Sequence, residues 1–479
     1  MILKKQFFSN IFLTNSVFAF FPISFILGNL VTNLNLILFC LLAILNIKSK
    51  ITEIKINFSL KIIFLFFFIV FLSTAINLIA TSYFEGYSDV SSNNLFKSII
   101  FFRFFLMLTL VYFLNQLDIL NFQYIFISSA AFPLIVSIDV IFQYLIGFNL
   151  IGLEGREYHN SGFFGDELVS GGFIQNFSSF SILFLAYIFK DKKLINFLVI
   201  IIAICVLGAG CIFSGNRMPA ILYFLSLILI FIFNKNLRKI IPIGIICLLV
   251  LFKVIVSYDK IVKLNYESIY RTVKIVLVDK FDFLKNDYFN LRKNIDYQEP
   301  TEESKEIIDE QLPESPLNPE AFWIQIPSQK RLMLTAIDIW QNNMIIGNGI
   351  KSFRMNCKKF QGPEYNLAED AVKYKINRLC SNHPHNYYFE ILTEAGILGI
   401  IITLVLGLLF LIFIYKNFKY FGENRLENLI LAAATISLLL VLFPFKSTGS
   451  IFTTNNAAYI TLMASIIINH KKLFLEKKN

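Results

Sequence analysis

Long apolar runs recur along this chain of 479 residues and restrict its fold more than any other feature. A helix needs about 20 mostly apolar residues to cross the hydrocarbon core of a bilayer. The runs lack polar alternation and are too long for barrel strands. The sequence therefore predicts an all-α polytopic membrane protein with about 12 transmembrane helices. The twelve candidate segments are 10–30, 33–47, 60–80, 96–115, 122–147, 171–190, 194–213, 218–234, 237–257, 386–415, 426–445 and 455–470.

The composition excludes a soluble multidomain protein. Hydrophobic residues make up 56% of the chain and charged residues only 16%, whereas soluble domains carry about 25% charged residues. The net charge of +10 does not indicate nucleic acid, because the lysines and arginines cluster in short loops between apolar runs. We therefore expect a lipid bilayer, and no nucleic acid, as a partner.

The distribution of lysine and arginine predicts the topology. If the N-terminus is cytoplasmic, the basic residues concentrate in the cytoplasmic loops and tail, as membrane proteins prefer. The opposite short loops then hold only Arg156, Arg217 and Lys446. Both termini are therefore predicted to be cytoplasmic. The first apolar segment is too long for a cleavable signal peptide, and no small-residue cleavage site follows it.

The apolar segments divide the chain into three parts. Residues 1–257 form an N-terminal bundle of about nine helices, and residues 258–385 form one large external loop. An acidic, proline-rich insertion near 297–322 has the composition of a poorly ordered segment. Residues 386–479 hold about three helices and a basic cytoplasmic tail. Within 386–415, the last two thirds are predicted to span the membrane and the beginning to lie at the interface.

The six cysteines differ in their predicted surroundings. Four lie in apolar segments, where buried cysteines behave as small hydrophobic residues. Cys357 and Cys380 lie in the external loop, which faces an oxidising compartment in the predicted topology. We expect a disulfide between these two. No cysteine pattern has the spacing of a zinc site.

Two of the four histidines stand two residues apart where the polar loop meets an apolar helix. His383 and His385 are candidate catalytic groups, because a neutral imidazole accepts a proton near pH 7. Asn386 is a candidate for orienting the ring or the substrate. Glu390 follows four residues later, on the same helical face, and is a further catalytic candidate. The alternatives are histidines with structural hydrogen bonds, or a weak metal site.

Three external arginines are candidates for binding an anion, since a guanidinium matches phosphate oxygens in a bidentate geometry. Arg217 ends a polar tetrapeptide between two spans, Arg331 begins a predicted helix, and Arg156 lies in a polar loop at 148–170. Each has an alternative reading. Arg217 is a snorkelling side chain, Arg331 a solvated charge, and Arg156 the partner of an acidic residue. The acids near Arg156 are Glu154, Glu157 and Asp166.

Histidines and arginines on one face of a membrane suit group transfer from a lipid diphosphate carrier. Arginines neutralise the diphosphate while a base activates the acceptor. An ion channel would show rings of pore residues or filter carbonyls. A transporter keeps its polar groups near the bilayer midplane. Charges within the predicted spans of this chain are few, chiefly Asp139 in the fifth and Arg103 in the fourth.

The sequence resembles the O-antigen ligase / O-antigen polymerase family of bacterial membrane glycosyltransferases. The resemblance covers the architecture, with twelve spans and a large periplasmic loop between the ninth and tenth, and several motifs. The most specific is HxHNxxxE/Q followed by ExGxxG, in which this chain has His383 to Glu390 and Glu394 to Gly399. The other matching stretches are Ser214 to Arg217, Ser161 to Glu167, and Arg331 followed by Ala336, Trp340, Gly347, Gly349 and Phe353.

This resemblance implies a GT-C-like helical enzyme in the bacterial inner membrane with its active site on the periplasmic side. It implies undecaprenyl-diphosphate-linked glycans as donors, with no nucleotide sugar, no obligatory metal and no other cofactor. By motif position, His385 is the base and Arg217 and Arg331 bind the diphosphate. The role of His383 stays open.

The alternative functions differ in the molecule that accepts the glycan. A ligase uses lipid A–core, and a polymerase uses another lipid-linked repeat unit. The ligase is the preferred expectation, although the motifs do not distinguish the two. A protein O-oligosaccharyltransferase is a third relative. A non-enzymatic transporter of polysaccharide or lipid is the alternative from a different class.

Overall fold

The computed structural model describes residues 9–47, 56–83, 90–156, 159–260, 262–264, 266–267, 328–360 and 378–469. In this part of the chain the backbone is helical apart from turns and two isolated β-bridges near 148–159. Eight of the described helices are long and apolar enough to cross a membrane. The prediction of an all-α polytopic membrane protein is therefore confirmed. The insertion near 297–322 lies outside the described residues.

Each of the twelve predicted segments contains a helix. The helices before the large loop are α1 (Asn10–Ala19), α2 (Phe21–Ile26), α3 (Asn29–Ile47), α4 (Phe58–Tyr83), α5 (Ser92–Gln116), α6 (Phe122–Ile146), α7 (Ser170–Ile188), α8 (Lys193–Phe213), α9 (Arg217–Phe233) and α10 (Ile240–Tyr258). Those that follow are α11 (Ser328–Asn342), α12 (Phe353–Asn356), α13 (Tyr387–Asn417), α14 (Leu426–Val441) and α15 (Thr454–Ile468).

The first predicted segment, 10–30, is not one helix, and this boundary was wrong. The chain turns at Phe20, and Pro22 stands in the first turn of α2. Proline lacks an N–H, so it disrupts a helix interior and is tolerated in a first turn. Gly28 then adopts a left-handed conformation with φ 94°, and the next helix starts at Asn29 instead of residue 33.

Helix α7 lies at the centre of the bundle, in contact with α6, α8, α9 and α14. Small polar residues permit this close packing, as is typical between membrane helices. Ser179 illustrates it, since its hydroxyl lies 3.1 Å from the Ser437 hydroxyl of α14. Aromatic rings also pack between the helices, and the ring centroids of Phe177 and Tyr459 are 5.1 Å apart.

Helix α13 is interrupted at Gly396, which has φ 64°. The interruption frees two backbone N–H groups, which donate to the segment that follows α11. Ile397 donates to the Met344 carbonyl at 2.9 Å, and Leu398 donates to the Ile345 carbonyl at 3.2 Å. The large loop thereby docks directly onto a membrane helix. The break falls where the sequence predicted an interfacial helix to give way to a span.

Candidate functional site

A cavity of about 580 Å³ opens at the end of the bundle where α9 and α15 begin. Two cations, Arg217 and Lys446, face it, and no Asp or Glu is among the described residues that line it. Aromatic rings and polar side chains form the rest of the wall. The aromatic residues are Phe25, Phe164, Phe173, Phe177, Tyr387 and Tyr459, and the polar ones include His159, Asn216, Gln329, Thr448, Asn455 and Asn456. Such a wall suits a ligand with an anionic head and an apolar part.

Hydrogen bonds hold the turn before α9, and Arg217 follows this turn on the cavity wall. The Ser214 hydroxyl donates to the Cys211 carbonyl at 2.8 Å, and the Asn216 amide donates to the Leu168 carbonyl at 2.8 Å. Gly215 supplies the left-handed conformation of the turn, with φ 77°. Arg217 then begins the helix and is exposed on the cavity wall. The positive end of the α9 dipole adds to its charge.

His383 and His385 lie side by side, with ring centroids 4.3 Å apart. The His385 carbonyl accepts a hydrogen bond from the Thr448 N–H at 2.9 Å. Thr448 lines the cavity. The histidine pair therefore adjoins the cavity wall through this bond, although neither ring is among the residues that line it.

Burial keeps both imidazoles neutral. It lowers the pKa of His383 to about 4, with a further contribution from His385, and it also lowers the pKa of His385. For each ring, a hydrogen bond to the Thr448 backbone raises the pKa and so opposes this lowering. A neutral imidazole has a lone pair for a substrate proton, so both meet the electronic requirement of a base at pH 7. Within the described residues, no group of three or more His, Cys, Asp or Glu is arranged to hold a metal ion.

Asn386 and Glu390 hold the surrounding backbone in place. The Asn386 side-chain oxygen caps α13 by accepting from the Tyr388 N–H at 3.0 Å, and its amide donates to the Pro444 carbonyl at 2.7 Å. Glu390 is 2% exposed, and its carboxylate accepts from the Ile451 N–H at 2.8 Å. Through these hydrogen bonds, both residues connect the loop 442–453 to the start of α13. Their predicted roles at the substrate stay predictions.

The loop 442–453 contributes groups that the sequence analysis did not select. Lys446 entered it only as a topology marker, yet this residue lines the cavity. Burial lowers its pKa to about 8. A lysine in a short loop that is predicted to be external departs from the usual charge bias, and that departure was the available signal. His159 also lines the cavity, with its Nδ1 3.4 Å from the Ser214 carbonyl oxygen.

The other two arginines differ in their position. Arg331 is half-buried near the start of α11, two residues from Gln329 on the cavity wall, and burial lowers its pKa. Arg156 is not among the residues that line the cavity. It forms a 2.6 Å ion pair with Asp166, and its side chain is 53% exposed. The structure thus shows the acidic partner that the sequence offered as the alternative for Arg156.

The segment before the histidines is anchored on α11. Cys357 and Cys380 form a disulfide with a Cα–Cα distance of 5.0 Å. Arg378 forms an ion pair with Asp338, and the Thr335 hydroxyl donates to the Leu379 carbonyl at 2.9 Å. These links fix residues 378–380 and so limit the movement of His383. The sequence predicted the disulfide pair but not the Arg378 contact.

Comparison with protein families gives one match. Residues 200–404 match a family model described as O-Antigen ligase. The matched stretch runs from α8 into α13 and includes Arg217, Arg331, His383, His385 and Glu390. The resemblance found from the motifs is thereby confirmed. No curated protein matches the chain.

Proposed function

We propose that this chain, whose residues 200–404 match a family model described as O-Antigen ligase, transfers a glycan from undecaprenyl diphosphate to lipid A–core. The match supports the general class of O-antigen ligase or polymerase-type membrane glycosyltransferases. The observation that carries the finer proposal is the cavity, which presents Arg217 and Lys446 without an acidic residue among its described lining. We further propose a GT-C-like fold and a periplasmic active site.

The lining chemistry suits a lipid diphosphate. A diphosphate ester carries at least two negative charges, and the two cations of the cavity match them. Arginine binds phosphate oxygens through a planar fork, whereas lysine acts as a compact point charge. The aromatic residues of the wall suit the apolar isoprenoid or the faces of sugar rings.

The proposed reaction is a single displacement. His385 takes the proton from an acceptor hydroxyl, and that oxygen attacks the anomeric carbon of the donor. The bond from this carbon to the diphosphate oxygen breaks, and the diphosphate leaves with the electron pair. Arg217 and Lys446 stabilise its developing charge, together with Arg331, which the family motif assigns to the same task. Attack opposite the leaving group inverts the anomeric configuration.

Substituting His385 with asparagine tests the base. Asparagine tolerates a left-handed backbone such as that of His385, with φ 55°, so the fold should persist while the basic nitrogen is lost. We expect glycan transfer by purified protein to fall about 10²–10⁴-fold, the usual contribution of a general base.

Asp118→Asn is the matched control for this variant. Asp118 also has a left-handed backbone, with φ 58°, but it lies between α5 and α6 at the opposite end of the bundle. It should retain normal transfer. A folded His385→Asn protein with near-normal transfer would contradict the assignment of the base.

A second experiment identifies the acceptor, because the same cations and base would also serve a polymerase. Deletion of the gene should leave long polymer on undecaprenyl diphosphate and lipid A–core without polymer. Core that carries a single repeat unit, with no ladder, would instead show a polymerase. Normal attachment and normal chain length, with altered export only, would favour the transporter.

A further inference from the structure

Arg103 lies on a lipid-facing surface of α5, away from the cavity. Ile99 and Leu106, one turn before and after it, are 51% and 43% exposed, and residues at these spacings share a helical face. Since α5 is long and apolar enough to cross the membrane, these exposed side chains contact lipid. A charge at such a position is costly unless it is paired with another group.

The partners of Arg103 in the described part of the chain are neutral. One terminal nitrogen of its guanidinium donates to the Ile100 carbonyl at 3.1 Å, and the other donates to the Thr454 hydroxyl at 3.2 Å. The guanidinium carbon also lies 4.4 Å from the centre of the Phe104 ring. Its Nε is buried without a hydrogen-bond partner among these residues. The ion pairs of the described residues do not include Arg103, so its charge is not neutralised there.

Polar groups from two further helices converge on the same place. The Thr454 hydroxyl also accepts from the Asn33 amide at 3.5 Å, and the side-chain oxygen of Asn33 is buried without a partner among the described residues. Thr454 is the first residue of α15, so the positive end of that helix dipole points here. Three helix faces thus form a cationic notch at the lipid boundary, made of Arg103, Asn33 and Thr454.

Exposed leucines and isoleucines continue from this notch along α3. They run from Asn33 toward the end of the bundle that lies opposite the cavity. The acyl chains of a lipid whose headgroup is held at Arg103 would lie along these side chains. They are Leu34, Ile37, Leu38 and Leu41, all about half exposed. We propose that the cationic notch binds the phosphate of an anionic glycerophospholipid, with its acyl chains along α3.

The chemistry favours this occupant over a lipid diphosphate. The notch holds a single cation, which matches the single charge of a phosphodiester. Arg103, Asn33 and Thr454 are also not among the described residues that line the cavity. The proposal does not depend on the glycosyltransferase activity.

Lipid binding by full-length protein in nanodiscs tests the notch. The discs contain phosphatidylcholine with a small share of spin-labelled phosphatidylglycerol, and the probe measured is the immobilised label. The wild type should immobilise phosphatidylglycerol in preference to labelled phosphatidylcholine. Arg103→Gln should reduce this preference about fivefold, which corresponds to about 1 kcal/mol for one basic residue. Arg103→Lys should retain part of it.

Arg425→Gln is the matched control, because Arg425 is already paired with Glu423 at 3.6 Å. It should leave the preference unchanged. An unchanged preference in folded Arg103→Gln would overturn the proposal. So would mass spectrometry showing that the lipid retained by the wild type and lost from the variant is a polyprenyl diphosphate. If Arg103→Gln does not fold, Asn33→Leu replaces it, with reduced preference supporting the site and unchanged preference rejecting it.

Discussion

At the scale of single residues, the backbone of His385 is the most unusual feature of the site. Its φ of 55° is in the left-handed region, which costs a non-glycine residue about 1–2 kcal/mol. The hydrogen bond from Thr448 to its carbonyl holds this conformation in place. Strained backbone often occurs where a side chain must be aimed. Here it sets the direction of the proposed base relative to the loop that carries Lys446.

Lys446 gives a pH-dependent prediction. Its pKa is lowered to about 8, so the ammonium group is mostly charged at pH 7 and loses its charge as the pH rises through 8. The Michaelis constant for the lipid-linked donor should therefore increase as the pH is raised from below 8 to above it. In Lys446→Arg this increase should disappear, because arginine stays charged. The measurement is donor saturation kinetics across that range. An identical alkaline rise in both proteins would exclude Lys446 as its source.

At the scale of elements, the interruption of α13 joins the large loop to the bundle. Unsatisfied backbone groups are expensive at membrane depth, and the carbonyls of Met344 and Ile345 accept the two N–H groups freed at Gly396. Polar residues of α4 complete the junction, as the Asn77 amide donates to the Gly347 carbonyl at 2.8 Å. Hydrogen bonds therefore connect the loop directly to two membrane helices at this point.

Gly396 allows a direct test of this junction. A Cβ there would collide with the backbone of Ile345 and Gly347, and φ is 64°. Gly396→Ala should therefore destabilise the protein by more than about 1 kcal/mol and lower its thermal unfolding temperature in detergent. Gly407→Ala, on the same helix, is the matched control, because a Cβ at Gly407 meets nothing within 4 Å. Equal unfolding temperatures for the two variants would show that the interruption carries no such constraint.

At the scale of the whole molecule, the cavity joins elements that are distant in the chain. Arg217 begins α9, Lys446 lies between α14 and α15, and Gln329 belongs to α11 of the large loop. All of them lie at one end of the bundle, as the predicted topology requires for residues on the external side. Which face of the membrane this end occupies stays a prediction from the charge bias.

Cysteine labelling in intact cells tests that orientation. Ser447→Cys lies on the cavity wall, and Lys239→Cys is exposed at the opposite end, between α9 and α10. After the outer membrane is permeabilised, a membrane-impermeant maleimide should label Ser447→Cys at once and Lys239→Cys only after lysis. The unmodified protein, with its native cysteines, sets the background. The reverse pattern would mean that the cavity opens to the cytoplasm.

The sequence by itself determined the helical class, the position of nearly every helix and the residues worth testing. Hydropathy and span length are local properties, because any segment of about 20 apolar residues is stable as a helix in lipid. The local motif around His385 was enough to recognise the family resemblance, and the family match at residues 200–404 confirms that resemblance. Helix ends were less certain, as the division of segment 10–30 at Phe20 shows.

The tertiary structure alone decided which charged groups meet. Arg156 was grouped with Arg217 by sequence, yet it pairs with Asp166, while the unselected Lys446 faces the cavity. The interruption at Gly396 and the lipid-facing position of Arg103 likewise depend on neighbours that are far away in the chain. Electrostatic pairing depends on distance and burial in three dimensions, and neither is a property of the local sequence.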